Sequence, residues 1–150
     1  MVIDEEIEIH APLDVVWRIF SQMEAWDQWN TACRECCILE GDSMNSGTCF
    51  SFKIKPWFLP LRVAPRIVEC DPGKTVTWEG GRLGVNAAHT WRFREQDGKV
   101  ILRSVEQFRG PLLIIGRVLG IPQKLHRLTR EFLETLKKAA ENCGNSGNAT

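Results

Sequence analysis

The sequence predicts an α+β fold, in which a seven-stranded antiparallel sheet is combined with one long C-terminal helix. Apolar and polar residues alternate in seven short segments up to Phe108, the pattern of half-buried strands. Asp97-Gly98 separates the last two segments, and this dipeptide is a strong hairpin signal because both turn positions favour positive φ. Beyond Phe108 the apolar spacing becomes helical. We expect residues 1–142 to form one domain and the polar, Gly-containing residues 143–150 to be a disordered tail.

The first thirty residues predict one strand followed by two short helices. Isoleucines alternate with acids in residues 2–10, which is typical of a half-buried strand. Pro12 suits a first helical turn, and apolar residues on one face extend that helix to residue 22. Trp26 and Trp29 lie three residues apart, which predicts a further helical turn with both indole rings in the core.

Six more strands and two helices complete the prediction. The strands are expected at residues 32–40, 48–55, 61–70, 74–80, 85–96 and 99–108, with Gly- or Pro-containing turns between them. A short apolar helix is expected at residues 112–119. The long amphipathic helix is expected at residues 123–142, with an apolar stripe that includes Leu125, Leu128 and Phe132. A helix of this length extends about 30 Å and can lie across the sheet.

The last two strands carry the candidate site. With Asp97 and Gly98 as the turn, residues whose numbers sum to 195 are paired. One sheet face then carries three pairs: His89 with Glu106, Trp91 with Ser104, and Phe93 with Leu102. A single polar pair on a mostly apolar wall is typical of a ligand cavity.

We therefore predict an apolar cavity on this face of the hairpin. The residues expected to contact a ligand are Trp78, His89, Trp91, Phe93, Leu102, Ser104, Glu106, Phe108, Leu125, Leu128 and Phe132. Each apolar member also fits an ordinary core position, and the six tryptophans could fill the space rather than line it.

His89 and Glu106 form the best chemical pair in the sequence. A carboxylate that accepts a hydrogen bond from one imidazole nitrogen leaves the other free to exchange a proton, so both are candidate catalytic residues. The alternative is a structural pair that anchors a ligand or holds two strands in register. Ser104 is expected to lie beyond direct reach of His89, and no nucleophile motif surrounds it.

Three large apolar residues, Trp57, Phe58 and Leu59, stand between two prolines in a predicted hairpin loop. Leaving all three in water is unfavourable. They either pack back onto the domain, or form the lip of the cavity or a shallow membrane contact.

Charge is unevenly distributed along the chain. Residues 1–40 hold nine acids and two bases, a net charge of −7, so the remaining residues carry +7. This asymmetry fits an anionic partner or a solvated basic face. Because Lys and Arg form no continuous run, no nucleic-acid partner is expected.

The N-terminal residues do not resemble a secretion signal, and no apolar run reaches membrane-spanning length, so we expect a cytoplasmic protein. The six cysteines are then expected to be thiols. Cys33 and Cys36 have the spacing of half a zinc site, but no second pair of ligands follows. We expect neither a metal nor a cofactor.

Five short motifs, taken in order, carry a family resemblance. They are Ile7-Glu8-Ile9-His10-Ala11-Pro12 followed by Val16-Trp17, Trp29-Asn30, His89-Thr90-Trp91-Arg92-Phe93, Glu106-Gln107-Phe108-Arg109-Gly110, and Leu136-Lys137. In this order and spacing the chain resembles the START-like, or SRPBCC, superfamily, which includes polyketide cyclase/dehydrase-like proteins, lipid-transport domains and the birch-pollen allergen. The resemblance implies a helix-grip fold: a curved seven-stranded sheet around the long helix, with a deep cavity between them.

The residue pattern and the resemblance together lead to three functional hypotheses. The first is a carrier that holds an apolar small molecule or lipid, with His89 and Glu106 as the polar anchor. The second is a polyketide cyclase/dehydratase-like enzyme, a lyase or isomerase, that uses His89 as acid and base. The chain has no tyrosine, which some enzymes of this architecture use to polarise a carbonyl. The third is a membrane-surface adaptor that docks through Trp57, Phe58 and Leu59; no pattern indicates an oligomeric state or a particular ligand.

Overall fold

The computed structural model of the chain describes residues 1–146. The strands are β1 (Val2–Ile9), β2 (Arg34–Glu40), β3 (Cys49–Ile54), β4 (Leu61–Val63), β5 (Arg66–Asp71), β6 (Thr75–Arg82), β7 (Val85–Gln96) and β8 (Lys99–Arg109). The α-helices are α1 (Leu13–Ser21), α2 (Leu113–Val118) and α3 (Ile121–Ser146), and a 3₁₀ helix (Met23–Gln28) follows α1. The order of elements is as predicted, except that one predicted strand is divided in two.

All eight strands belong to one antiparallel sheet. Its order is β1-β8-β7-β6-β5-β3-β2, and β4 adds to β3. The long helix α3 packs against this sheet, with the ring of Phe132 4.8 Å from the ring of Trp91 on β7. The predicted α+β helix-grip fold is confirmed.

Residues 1–146 form eight strands where the sequence predicts seven. The predicted strand at residues 61–70 is divided into β4 and β5, because Pro65 has no N–H to donate to a strand ladder. The carbonyl of Pro65 accepts a hydrogen bond of 3.1 Å from the amide of Phe50, so the chain stays beside β3 while it bends.

The register of the β7–β8 hairpin is as predicted. The three predicted pairs on the inner face are present: His89 with Glu106, Trp91 with Ser104, and Phe93 with Leu102. Asp97 and Gly98 have φ angles of 53° and 75°. Positive φ at both positions gives the turn a twist that matches that of the two strands.

α3 is longer than predicted at both ends. It begins at Ile121 with Pro122 in its first turn, where a missing N–H leaves no intrahelical bond unmade. It ends at Ser146, so residues 143–146 are helical although the sequence predicts a disordered tail from residue 143. The remainder of that predicted tail, residues 147–150, lies outside the described residues.

An aromatic cluster fills one end of the space between sheet and α3. Its rings belong to Phe20, Trp26, Phe50, Trp78, Trp91, Phe93 and Phe132, all buried. Phe20 of α1 stacks on Trp78 at 6.1 Å and meets Trp91 edge-on at 5.3 Å. The indole N–H of Trp26 donates to the carbonyl of Phe20 at 2.8 Å, which ties the 3₁₀ helix to α1. We call this part of the molecule, covered by α1 and the 3₁₀ helix, the closed end.

Candidate functional site

A cavity of about 750 Å³ lies between the sheet and α3. Strands β6, β7 and β8 supply one wall, and α3 supplies the other. Most of its lining side chains are apolar, and its volume falls in the range of small-molecule sites.

Nine of the predicted site residues line this cavity. They are Trp57, Trp78, His89, Trp91, Glu106, Phe108, Leu125, Leu128 and Phe132. The sheet register brings the strand residues together, since His89 pairs with Trp78 on one side and with Glu106 on the other. Their contact with a ligand stays a prediction.

Three predicted residues on the same sheet face lie outside the cavity. Phe93, Leu102 and Ser104 are nearer to the hairpin turn, where α1 covers the sheet. The rings of Trp17 and Phe20 meet Phe93 edge-on at 5.4 and 5.0 Å, and Leu102 and Ser104 are fully buried. The alternation of side chains along a strand shows which sheet face a residue occupies, but it does not show how far α1 extends over that face.

Only one of the three loop residues lines the cavity. The indole of Trp57 does so, and the ammonium group of Lys124 on α3 lies 5.4 Å from its ring centre, within cation–π range. Phe58 and Leu59 are 81% and 64% exposed and do not line it. A lip formed by these residues stays a prediction, with Trp57 at the cavity and Phe58 and Leu59 exposed to solvent.

Two side chains on the inner face, those of Ser104 and Trp91, hold His89 in position. Its Nε2 lies 2.7 Å from Oγ of Ser104, a hydrogen bond, and its ring stacks on Trp91 at 4.3 Å. The expectation that Ser104 is out of reach is wrong, because the imidazole leans along the strand toward the diagonal neighbour of its paired residue. Ser104 therefore orients His89.

Glu106 does not hydrogen-bond to His89. Its Oε1 lies 3.7 Å from Nδ1 of His89, beyond hydrogen-bond distance. The predicted carboxylate–imidazole hydrogen bond is thus absent, although the two residues are paired across the strands as expected. Nδ1 of His89 and the carboxyl group of Glu106 face each other across this gap.

Burial makes the two side chains electrically neutral near pH 7. It lowers the pKa of His89 to about 3, because the imidazolium ion would lose its hydration. It raises the pKa of Glu106 to about 8, because the carboxylate would lose its hydration. Glu106 is then mainly a carboxylic acid that can donate a hydrogen bond, and His89 is an uncharged imidazole.

Besides Arg62 and Arg82, two uncharged polar side chains also line the cavity. Cys33 precedes β2, and burial raises the pKa of its thiol, which keeps it neutral. The hydroxyl of Thr129 on α3 donates to the carbonyl of Leu125 at 3.1 Å. Sequence reasoning missed both, although Thr129 lies within the helical stripe between Leu125 and Phe132.

Sequence reasoning also missed how much of the cavity wall comes from α2 and its surroundings. The lining residues there are Leu112, Leu113, Ile115, Gly116, Leu119 and Ile121. The signal was available, because residues 112–119 are almost entirely apolar. A short helix with apolar residues on every side packs on the protein with only one face, and the sequence does not show which face that is.

Within residues 1–146, no group of three or more His, Cys, Asp or Glu side chains could hold a metal ion. No helix of that range is long and apolar enough to cross a bilayer. All six cysteines are free thiols.

Comparison with known proteins agrees with the resemblance seen in the sequence. Residues 1–141 match the family model described as polyketide cyclase / dehydrase and lipid transport. No curated protein sequence matches the chain.

Solved structures with the same fold are similar over most of this chain. A START superfamily protein from Mycobacterium smegmatis aligns with a TM-score of 0.70 and 16% identity over 98% of this chain and 99% of its own. Ara h 8.0201 aligns with a TM-score of 0.69 and 16% identity over 97% and 98%. The di-domain ARO/CYC protein StfQ of the steffimycin biosynthetic pathway aligns with a TM-score of 0.76 and 13% identity over 98% of this chain and 53% of its own. At these identities the structural similarity shows the fold alone.

Proposed function

The chain belongs to the polyketide cyclase/dehydrase and lipid transport family, and on that basis we propose that it binds an apolar small molecule or lipid in the cavity between the sheet and α3. The observation that carries this proposal is the cavity itself, about 750 Å³ of largely apolar space inside a protein of 150 residues. Filling such a space with apolar atoms removes a large apolar surface from water. Each Å² of apolar surface removed favours binding by roughly 25 cal/mol.

The polar anchor of the ligand is Glu106. As a neutral carboxylic acid with a pKa of about 8, it donates a hydrogen bond to a carbonyl or hydroxyl oxygen without placing a charge in the apolar cavity. His89 keeps its position through Ser104 and Trp91 and presents Nδ1 to the same region. A ligand with an apolar body and one or two oxygen atoms fits this arrangement.

Native mass spectrometry of the purified protein tests the carrier function directly. We expect either a co-purified apolar molecule or saturable one-to-one binding of a neutral apolar probe, N-phenyl-1-naphthylamine. A protein that is empty and leaves the fluorescence of the probe unchanged would refute the proposal.

A second candidate function is proton transfer to a bound polyketide-like carbonyl compound. The observation that favours it is the pKa of Glu106, which at about 8 lies close to neutral pH, where a group both gives and takes protons efficiently. The pKa of His89, near 3, makes the imidazole a weak base, so Glu106 rather than His89 is the proton donor in this hypothesis.

Glu106→Gln separates the two candidates. The amide retains a hydrogen-bond donor but cannot transfer a proton. If the protein is a carrier, the variant binds the probe within about threefold of the wild type. If it is an enzyme, turnover of poly-β-keto thioesters falls by at least about 100-fold while binding persists.

A further inference from the structure

An exposed apolar rim surrounds the mouth of the cavity. Its members are Phe58 and Leu59 of the β3–β4 loop, Leu83 of the β6–β7 turn, and Ile114, Ile115 and Val118 of α2, each between 57% and 84% exposed. Single exposed leucines are common on protein surfaces, whereas six large apolar side chains around one opening indicate an interaction surface. We call these six residues the mouth rim.

The helix α2 has an inner and an outer face. Gly116 is buried, and a Cβ atom added there would lie 3.2 Å from Cδ1 of Ile121, so this face is packed closely on the start of α3. Ile115 lines the cavity. Ile114 and Val118 lie one turn apart, are 75% and 84% exposed, and do not line the cavity. The outer face of α2 is thus available without any change in the cavity.

Positive charge accompanies the mouth rim. No Asp or Glu occurs from Gln107 to Arg130. Five cationic residues lie in the segments that form the mouth: Arg82, Arg109, Arg117, Lys124 and Arg127. Within residues 1–146 none of these five forms an ion pair, whereas Arg62, also near the mouth, is paired with Glu35 at 2.9 Å. The excess of positive charge after residue 40 is therefore partly concentrated around apolar side chains.

We propose that the mouth rim docks on the surface of a membrane that contains anionic lipids. Its apolar side chains enter the boundary between head groups and acyl chains, while the surrounding cations lie beside lipid phosphates. This inference extends the proposed function, because a bilayer at the mouth lets an apolar ligand enter or leave the cavity without crossing water. A protein seated on the same rim would instead obstruct the opening.

Vesicle flotation tests the docking. We expect the wild-type protein to float with vesicles of phosphatidylcholine and phosphatidylglycerol at about 2:1, to bind pure phosphatidylcholine vesicles at least about tenfold more weakly, and to dissociate as salt is raised. The double variant Ile114→Ser/Val118→Ser is expected to lower the partition coefficient on the mixed vesicles at least about tenfold. Arg117→Gln is expected to lower it about fivefold.

Matched controls lie elsewhere on the surface. Leu39 on β2 and Val68 on β5 are 57% and 44% exposed, so Leu39→Ser/Val68→Ser removes a similar apolar pair away from the mouth. Arg94→Gln removes an exposed charge near the hairpin turn. Both control variants are expected to partition like the wild type.

Three results would overturn the docking: no binding of the wild type to the mixed vesicles, equal binding to neutral vesicles, or equal losses in the controls. Titration with N-phenyl-1-naphthylamine keeps this outcome separate from the proposed function. Ile114→Ser/Val118→Ser is expected to bind the probe like the wild type, since neither residue lines the cavity. A wild type that floats but does not bind the probe would refute the cavity function and leave the docking intact.

Discussion

The two ends of the molecule use apolar residues in opposite ways. At the closed end, Phe20, Trp26 and Trp91 are at most 1% exposed, and neighbouring rings lie 5 to 6 Å apart. At the mouth, Phe58, Ile114 and Val118 are at least 75% exposed and cations stand nearby. The apolar side chains of the two ends differ in what covers them. The helix α1 and the 3₁₀ helix cover the closed end, whereas only the six-residue α2 lies at the mouth. Apolar residues stabilise the fold where helices cover them, and at the mouth they are left exposed.

The largest expected contrast is between two phenylalanines. Phe20→Ala opens a hole among the rings of the closed end and is expected to lower the free energy of unfolding by about 3–5 kcal/mol. Phe58→Ala removes an 81% exposed ring and is expected to change it by less than about 0.5 kcal/mol. Urea unfolding followed by tryptophan fluorescence measures both, and similar losses in the two variants would remove the distinction between the ends.

Gly110 sharpens the contrast, because the region of the mouth also contains a position that does not tolerate a side chain. Its φ is 141°, and an added Cβ would collide with the carbonyl oxygen of Gly84. Gly110→Ala is therefore expected to lower the free energy of unfolding by about 2–3 kcal/mol. At Gly98, which has a positive φ but open space around it, alanine is expected to cost about 1 kcal/mol. Equal effects at the two glycines in urea unfolding would show that the backbone near the mouth yields easily.

The buried polar pair predicts how stability depends on pH. The pKa of Glu106 rises from 4.5 to about 8 on folding, so its stabilising effect is complete below pH 4.5 and is lost as the pH rises to 8. The pKa of His89 falls from 6.5 to about 3, so its effect is complete above pH 6.5 and is lost as the pH falls to 3. The contributions of Glu106 and His89 to the pH dependence of stability nearly cancel between pH 4.5 and 6.5.

We therefore expect a plateau of stability between pH 4.5 and 6.5 and a loss of roughly 1 kcal/mol from pH 6.5 to 8. Urea unfolding at a series of pH values measures it. Glu106→Gln is expected to abolish the loss above pH 6.5, because glutamine does not ionise. A wild-type curve that stays flat from pH 6.5 to 8 would show that Glu106 is ionised in the folded protein.

The fold and the register of the site were predictable because both depend on local chemistry. Asp97-Gly98 sets the turn, and the turn sets every pair of the hairpin, including His89 with Glu106. The division of the strand at residues 61–70 was also readable, since Pro65 cannot donate to a ladder. The end of α3 was less predictable, because a polar, Gly-containing sequence does not show where a helix ends.

The alternation of apolar and polar residues did not predict which residues of the inner sheet face reach the cavity, or how their side chains are oriented. Phe93 and Trp91 share a face, yet α1 covers Phe93 while Trp91 reaches the cavity. The partner of His89 is the diagonal Ser104 rather than the directly paired Glu106, because the choice depends on ring orientation within a packed environment. The protonation states of the pair depend on burial, which only the folded structure provides.

One pair of variants tests most directly whether the cavity binds an apolar ligand. Ala87 on β7 lines the cavity, and the adjacent Ala88 points to the other sheet face and does not. We expect Ala87→Phe to weaken binding of N-phenyl-1-naphthylamine by at least about tenfold, because the added ring occupies the ligand space, and Ala88→Phe to leave it within about twofold. Equal affinity of both variants and the wild type would contradict the account, since the probe would then bind outside the cavity.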